Sequence, residues 1–163
     1  MNALLNRLKI SKKIGLALAL PVLGLLAFSG FAVFDQYRTE NEMATLQRIA
    51  GLAPDIGALV HELQKERGLS EGFIGSKGAA KFRTKVNAQR INTDKANKSL
   101  ADSLLSFDAA AFGPGFVQLV KDAQRPLASL PGSRTKINDL SFTVPDVAGY
   151  YSGTIAKLLN IIG

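Results

Sequence analysis

The chain has 163 residues, of which 47% are hydrophobic and 20% are charged, so a largely disordered protein is excluded. It contains no cysteine, which excludes disulfide bonds and thiolate chemistry. The net charge of +7 is uneven: residues 1–13 hold four basic residues and no acid, whereas sixteen basic and thirteen acidic residues follow from Asp35 onward. This distribution argues weakly for nucleic-acid binding and more strongly for membrane topology.

The first predicted element is a membrane span. Residues 14–34 carry no charge over 21 positions, which matches the roughly 20 residues that a helix needs to cross a bilayer. Basic residues before the span and Asp35 after it predict a cytoplasmic N-terminus (residues 1–13), a transmembrane helix (residues 14–34) and an exported domain (residues 35–163). A cleaved secretory signal is the alternative, although the apolar run is long for one. Both interpretations export the remainder.

The exported part is predicted to be helical throughout. Apolar residues at steps of three and four predict a helix from Asp35 to about Ile74 that continues the membrane span without a linker. The further predicted elements are a turn at residues 75–78, a helix at 79–107, a loop at 108–115, a short helix at 116–124, a helix opened by Pro131, and a last helix from Thr143 to the end. No period-two alternation indicates a strand, so the predicted fold is an all-α antiparallel bundle of the four-helix type. The last helix lacks a stop signal, which predicts that the sequence is part of a longer chain.

Three arginines interrupt the apolar stripes of three different predicted helices. Arg67, Arg90 and Arg134 each lie four residues after an apolar stripe position. Like charges on buried faces repel unless an anion lies between them, and a guanidinium donates two parallel N–H groups to a planar oxyanion. The three arginines are therefore predicted to bind a small oxyanion. The glycines predicted to let the helices approach closely are Gly68, Gly72 and Gly75.

The alternative is that each arginine pairs with an acid and that no ligand binds. Glu71 and Asp94 each follow one of the arginines by four residues, and Asp139 is a further candidate partner. The chain would then be an anchored helical bundle for dimerisation or protein interaction. Contacts of all three guanidiniums with carboxylates would favour this alternative, whereas convergence on a point without acids would favour the anion site.

Catalytic and metal-binding patterns are incomplete in this sequence. His61 and Glu62 begin an HExxH zinc motif, but Lys65 stands where the second histidine is needed. Glu62 and Glu66 have a spacing that suits acid–base chemistry, yet no third group accompanies them, and a solvated helix face explains them more simply. No nucleophile motif or glycine-rich phosphate loop is present. We therefore predict no enzymatic activity, no metal and no cofactor.

Residues 61–78, HELQKERGLSEGFIGSKG, resemble the opening of the nitrate- and nitrite-sensing (NIT) domain of bacterial sensory proteins. The specific match is the ELQ-ERG-S core, and a weaker resemblance continues through QR-x-x-TD (residues 89–94), LPGSR (residues 130–134) and YYSG (residues 150–153). With a membrane span directly before it, the chain is similar to NIT-containing methyl-accepting chemotaxis proteins.

This resemblance implies an all-helical periplasmic sensor of two four-helix bundles, anchored in the bacterial inner membrane. Such a sensor is expected to bind nitrate or nitrite at arginines between helices, to be a homodimer, and to signal to a cytoplasmic module in the same longer chain. Arg67 carries over as the binding arginine, and Arg90 and Arg134 carry over more weakly. A ceiling of about −1.5 kcal/mol for each of the four heavy atoms of nitrate limits the dissociation constant to roughly tens of micromolar.

Overall fold

Residues 10–163 of the chain fold into five α-helices. The computed structural model describes the backbone of residues 10–163 and the side chains of residues 19, 21–31, 34 and 47–163. The helices are α1 (Ile10–Gly75), α2 (Ala80–Ser106), α3 (Gly113–Ala128), α4 (Leu130–Asn138) and α5 (Val144–Leu159), with a short 3-10 helix at Ala109–Phe112. No strand occurs in residues 10–163, so the predicted all-α class is confirmed.

Two compact units divide the chain after residue 45. Among the residues that the structure describes, no single helix is long and apolar enough to cross a membrane. The segments Ala80–Ser106 and Ala109–Asn138, which meet at a bend of 76°, are together long and apolar enough to cross a membrane. The predicted span at residues 14–34 lies partly outside the residues whose side chains are described, and the apolar helical stretch found there is Pro21–Phe31.

The second unit, residues 46–163, is built around one buried stripe of α1. Its positions follow alternating steps of four and three residues, which average close to the 3.6 residues of a helical turn and so stay on one face. The stripe consists of Leu52, Ile56, Leu59, Leu63, Glu66, Ser70 and Phe73, each at most 3% exposed. Buried residues of every other helix complete the core, among them Val86, Val120, Ile137, Val147 and Leu158.

Helices α1 and α2 form an antiparallel pair. The amide of Gln89 on α2 donates to the backbone oxygen of Glu62 on α1 at 3.2 Å, and the hydroxyl of Ser99 donates to Asp55 at 2.9 Å. An earlier residue of α1 thus contacts a later residue of α2, as is expected for antiparallel helices. This pairing confirms the predicted antiparallel arrangement for the first two helices of the unit.

One glycine of the predicted close-approach series meets a neighbouring side chain. A Cβ atom built on Gly72 would collide with the ring of Phe82 on α2, so a side chain at this position would require the ring or the helices to shift. Gly68 and Gly75 have open space where their Cβ atoms would lie. The packing role predicted for the three glycines thus holds for Gly72.

The end of α1 adopts a left-handed cap. The backbone N–H of Gly78 donates to the oxygen of Phe73 at 2.9 Å, and the N–H of Lys77 donates to the oxygen of Ile74 at 2.9 Å. These are the two hydrogen bonds of a Schellman motif, whose left-handed position usually holds glycine. Here that position is Lys77, with a φ of 53°.

Two predicted boundaries are wrong around α3. The helix begins at Gly113, within the predicted loop, because Pro114 occupies the first turn, where a missing N–H costs nothing. Pro126 lies inside the last turn of α3 and does not end the helix before it.

The start of α5 agrees with the prediction, but its end does not. Thr143 is the N-cap, which agrees with the predicted start at this residue. Its side chain and that of Asp146 form a reciprocal capping box. The helix ends at Leu159, however, so the predicted run to the end of the chain is wrong.

Candidate functional site

The buried stripe of α1 holds an acid where the sequence suggested a cation. The step after Leu63 is three residues, which places Glu66 at 0% exposure, whereas the side chain of Arg67 is 36% exposed. The placement of Arg67 in the stripe and of Glu66 on a solvated face are therefore both wrong, since a step of three fits a helix as well as a step of four. A fully buried carboxylate is costly unless it is paired, so its partners define the site.

Arg134 on α4 is the principal partner of Glu66. Its Nε donates to Glu66 Oε1 at 2.8 Å and its Nη2 donates to Oε2 at 2.9 Å, which is a two-pronged carboxylate contact. The remaining Nη1 donates to Asp94 on α2 at 2.6 Å. Burial opposes the positive charge of Arg134, but the hydrogen bonds and charges of Glu66 and Asp94 outweigh burial and raise its pKa.

Arg90 and Tyr151 reach the same carboxylate from α2 and α5. Tyr151, which is fully buried, donates its hydroxyl to Glu66 Oε1 at 2.8 Å. The Nε of Arg90 lies 3.6 Å from the same oxygen, and its Nη1 donates to Asn138 on α4 at 2.9 Å. Burial lowers the pKa of Arg90, while burial and the adjacent Glu66 charge raise the pKa of the Tyr151 hydroxyl. One buried carboxylate thus joins α1, α2, α4 and α5.

The charges of this network compensate one another. Two guanidiniums, Arg90 and Arg134, face two carboxylates, Glu66 and Asp94, within ion-pair distance. The repulsion expected between buried arginines is therefore relieved by side chains of the protein itself. The sequence assigned Asp94 to Arg90, whereas the structure pairs it with Arg134 across helices.

Arg67 lies beside this network but is not part of it. Its Nη1 donates to the hydroxyl of Ser152 on α5 at 2.9 Å, and its Nε lies 3.7 Å from Glu71, beyond hydrogen-bond distance. The Nε atom is buried and has no hydrogen-bond partner among the described residues. Exposed ion pairs of this kind contribute about 0–1 kcal/mol. The Arg67 guanidinium is therefore only loosely bound by the protein.

All three predicted arginines thus lie within 4 Å of a carboxylate, but the contacts differ in kind. Arg90 and Arg134 belong to the buried network, as the structural alternative expected, although Asp139 makes no ion pair among the described residues. Arg67 is separate and accessible. The structure therefore does not bring the three guanidiniums to one point without acids.

Two cavities of the described region lie away from the arginines. One, of about 330 Å³, is lined by residues of α1 and α2 that include Asp55 and Glu62, and another, of about 70 Å³, lies between α2 and α3. None of the three arginines lines either cavity. The 330 Å³ cavity has no group of three metal-ligating side chains, and no such group occurs elsewhere in the described residues.

Glu66 and Ser152 are the residues that the sequence analysis missed. The sequence did contain a signal for Glu66, because alternating steps of four and three residues from Leu52 lead to position 66. Ser152 gives no comparable signal, since its contact with Arg67 spans 85 residues of sequence.

Known proteins resemble this chain in sequence and in fold. The family model described as nitrate and nitrite sensing (NIT) matches residues 58–163. A solved structure of the NasR transcription antiterminator is similar, with a TM-score of 0.70 and 27% identity, over 78% of this chain and 35% of that chain. The chain thus spans about a third of the length of that structure. No match to a curated protein was found.

Proposed function

Because the chain belongs to the nitrate and nitrite sensing (NIT) family, we propose that residues 46–163 bind a nitrate or nitrite ion through Arg67 in a membrane-anchored receptor. The family match at residues 58–163 includes Arg67 and all of α2 to α5. A NIT domain has a sensory role and not a catalytic one. The specific residues and the membrane anchor are our proposal.

The observation that carries the proposal is the state of the Arg67 guanidinium. Its Nη1 donates to Ser152, and its Nη2 is not buried and has no hydrogen-bond partner among the described residues, whereas its Nε is buried without one. A planar oxyanion can accept N–H groups from one edge of a guanidinium, so nitrate suits the position of Arg67. The nearby carboxylate of Glu71, at 3.7 Å, is too distant to satisfy that Nε.

Arg90 and Arg134 have an indirect role in this proposal. Arg134 donates hydrogen bonds to Glu66 and Asp94. Arg90 donates to Asn138, and its Nε, which has no hydrogen-bond partner among the described residues, lies 3.6 Å from Glu66. An anion would therefore have to displace a buried carboxylate to bind between these two arginines. They would instead hold α1 in place so that Arg67 is correctly presented. Their direct contact with the anion stays a prediction.

The exposure of Arg67 limits the affinity. The ceiling for a four-atom ligand is about tens of micromolar, and a single exposed charge pair is screened by water and salt. We therefore expect dissociation constants between about 0.05 and 5 mM. Such weak binding calls for NMR detection and for constant ionic strength.

The test is a nitrate titration of the full chain in detergent, with sodium nitrate exchanged for sodium chloride. The Nε–H resonance of Arg67 should shift with saturation, and Arg67→Ala should abolish saturable binding. Arg125→Ala is the matched control, because Arg125 is also exposed and also forms an ion pair within its own helix, to Asp122 at 3.3 Å. Equal binding by wild type and Arg67→Ala would remove Arg67 from the mechanism. Absence of binding in wild type would favour the interaction bundle with structural arginines.

The proposed membrane anchor is residues 14–34. Its support is the uncharged run, with basic residues before it and Asp35 after it. In this proposal α1 carries both the anchor and Arg67, so it is the element through which a signal would pass. Chemotactic output, a homodimer and a cytoplasmic module stay predictions from the resemblance.

Cysteine labelling tests the anchor directly, since the chain has no cysteine of its own. A membrane-impermeant maleimide added to intact bacterial spheroplasts should label Ser99→Cys and should label Ser11→Cys only after lysis. The opposite labelling pattern, or recovery of the chain without membranes, would contradict the proposed topology.

A further inference from the structure

We infer that Ser152 on α5 is a second anion-contacting residue beside Arg67, an assignment that rests on the proposed function. The site would then be formed by two helices, with a guanidinium from α1 and a hydroxyl from α5. Neither the family match nor the sequence motif assigns a role to this serine.

The register between α1 and α5 is fixed at two consecutive positions. Glu66 on α1 accepts from Tyr151 on α5 at 2.8 Å, and the next residue of α1, Arg67, donates to the next residue of α5, Ser152, at 2.9 Å. The first pair is fully buried and belongs to the four-helix network. The second pair is exposed. It is held in position by the adjacent buried contact between Glu66 and Tyr151, which solvent does not weaken.

The hydroxyl of Ser152 has the right remaining capacity for an anion. A serine hydroxyl has one donor hydrogen and two lone pairs. In the contact with Arg67 the oxygen accepts from Nη1, so a lone pair is used and the hydrogen stays available. The Ser152 hydroxyl donates to no acceptor among the described residues. An oxyanion bound to Arg67 can accept it, which gives the anion a guanidinium and a hydroxyl donor together.

The surface around this pair has room for an anion. Ser152 is exposed, and Gly68 and Gly153, the residues that follow Arg67 and Ser152, both have open space at their Cβ positions. No side chain projects from either glycine toward solvent. These two glycines therefore place no side chain in the way of an anion that approaches the pair.

The competing explanation is that the Ser152–Arg67 bond only joins two helices. These explanations differ in what Ser152→Ala should do. Alanine has a higher helix propensity than serine, and exposed hydroxyl contacts contribute little, so the substitution should leave the melting temperature unchanged or slightly raised. If Ser152 contacts the anion, nitrate affinity should fall by about 5- to 10-fold in the same variant.

The experiment compares full-length wild type, Ser152→Ala, Ser152→Thr and Arg67→Ala in the nitrate titration described above. Ser152→Thr restores a hydroxyl and should return the affinity to within about threefold of wild type. Ser99→Ala is the matched control, because Ser99 is also an exposed helical serine whose hydroxyl makes a 2.9 Å bond to another helix, at Asp55. It should bind nitrate as wild type does.

The outcomes separate this inference from the proposed function. Weakened binding in Ser152→Ala, with rescue by threonine and an unchanged melting temperature, supports the inference. Wild-type affinity in Ser152→Ala, together with lost binding in Arg67→Ala, overturns the role of Ser152 and leaves the proposed function standing. Equal weakening in Ser152→Ala and Ser99→Ala also overturns it. If wild type itself binds no nitrate, both are overturned.

Discussion

Replacement of Glu66 by glutamine should be the most damaging conservative substitution in the second unit. The side chains have nearly the same volume, so the packing of α1 is retained. The change removes one negative charge and turns one acceptor oxygen into an N–H donor. Glu66 currently accepts from Arg134 at both oxygens and from Tyr151, so at least one of these donors would face another donor.

The magnitude follows from the burial of the partners. Removal of one member of a buried ion pair costs about 3–5 kcal/mol, because the other charge stays buried without compensation. After Glu66→Gln, Arg90 has no ion-pair partner left in the network, and Arg134 keeps only Asp94. Against a total stability of about 5–15 kcal/mol, this loss should lower the melting temperature by roughly 10–20 °C.

Circular dichroism of the full chain at 222 nm during heating measures this loss. Glu71→Gln is the matched control, since it makes the same chemical change on the same helix at a position whose side chain is 30% exposed. It should shift the melting temperature by no more than about 3 °C. A shift of that small size in Glu66→Gln as well would refute the assignment of Glu66 as the buried charge that the network requires.

Three further predictions test the surface features. Lys77→Gly should raise the free energy of unfolding by about 0.5–1 kcal/mol. Glycine removes the strain of the left-handed backbone at φ 53°, and this gain exceeds the cost of the extra freedom of glycine in the unfolded chain. A melting temperature at or below that of Lys77→Ala would contradict this. Glu71→Gln should tighten nitrate binding by about 2- to 5-fold, because the carboxylate 3.7 Å from Arg67 competes with the anion; unchanged affinity in the titration would show that it does not compete. Thr143→Ala should raise the pKa of Asp146 in an NMR titration, since the Thr143 side chain and then its backbone N–H hold that pKa below its ordinary value. A lowered pKa stabilises the fold above the ordinary aspartate value of about 3.9, and this effect is lost as the pH falls below it. The difference in melting temperature between the two proteins should therefore narrow at acid pH. It should not vanish, because the backbone N–H of Asp146 donates to the Thr143 hydroxyl at any pH. A difference that does not change with pH would contradict the contribution of the Asp146 carboxylate.

The fold class was accessible from the sequence because helical periodicity is a local property. Steps of three and four in the apolar residues predicted the helices, and Thr143 and Pro131 marked two starts through cap chemistry. The errors lie where local signals are ambiguous. A proline near a helix end can stop a helix or lie in its last turn, as Pro126 does.

The site was less accessible because its contacts connect residues far apart in sequence. Arg67 was predicted to be the charge on the buried stripe, but the buried charge there is its neighbour Glu66. The step after Leu63 could be three or four residues long, and this choice determined whether Glu66 or Arg67 was placed on the buried face. The pairing of Arg134 with Asp94 spans 40 residues, and no spacing rule within one helix could reveal it.

The adjacency of Glu66 and Arg67 restricts how α1 can move within the second unit. Successive residues of a helix are separated by about 100° around the axis. Rotation of α1 by that angle would move Glu66 out of its buried position and break every contact that Glu66 makes in the network. Sliding by one residue, about 1.5 Å, would also separate Glu66 from Tyr151. While the network is intact, α1 can therefore neither rotate by a full residue step nor slide by one within the second unit.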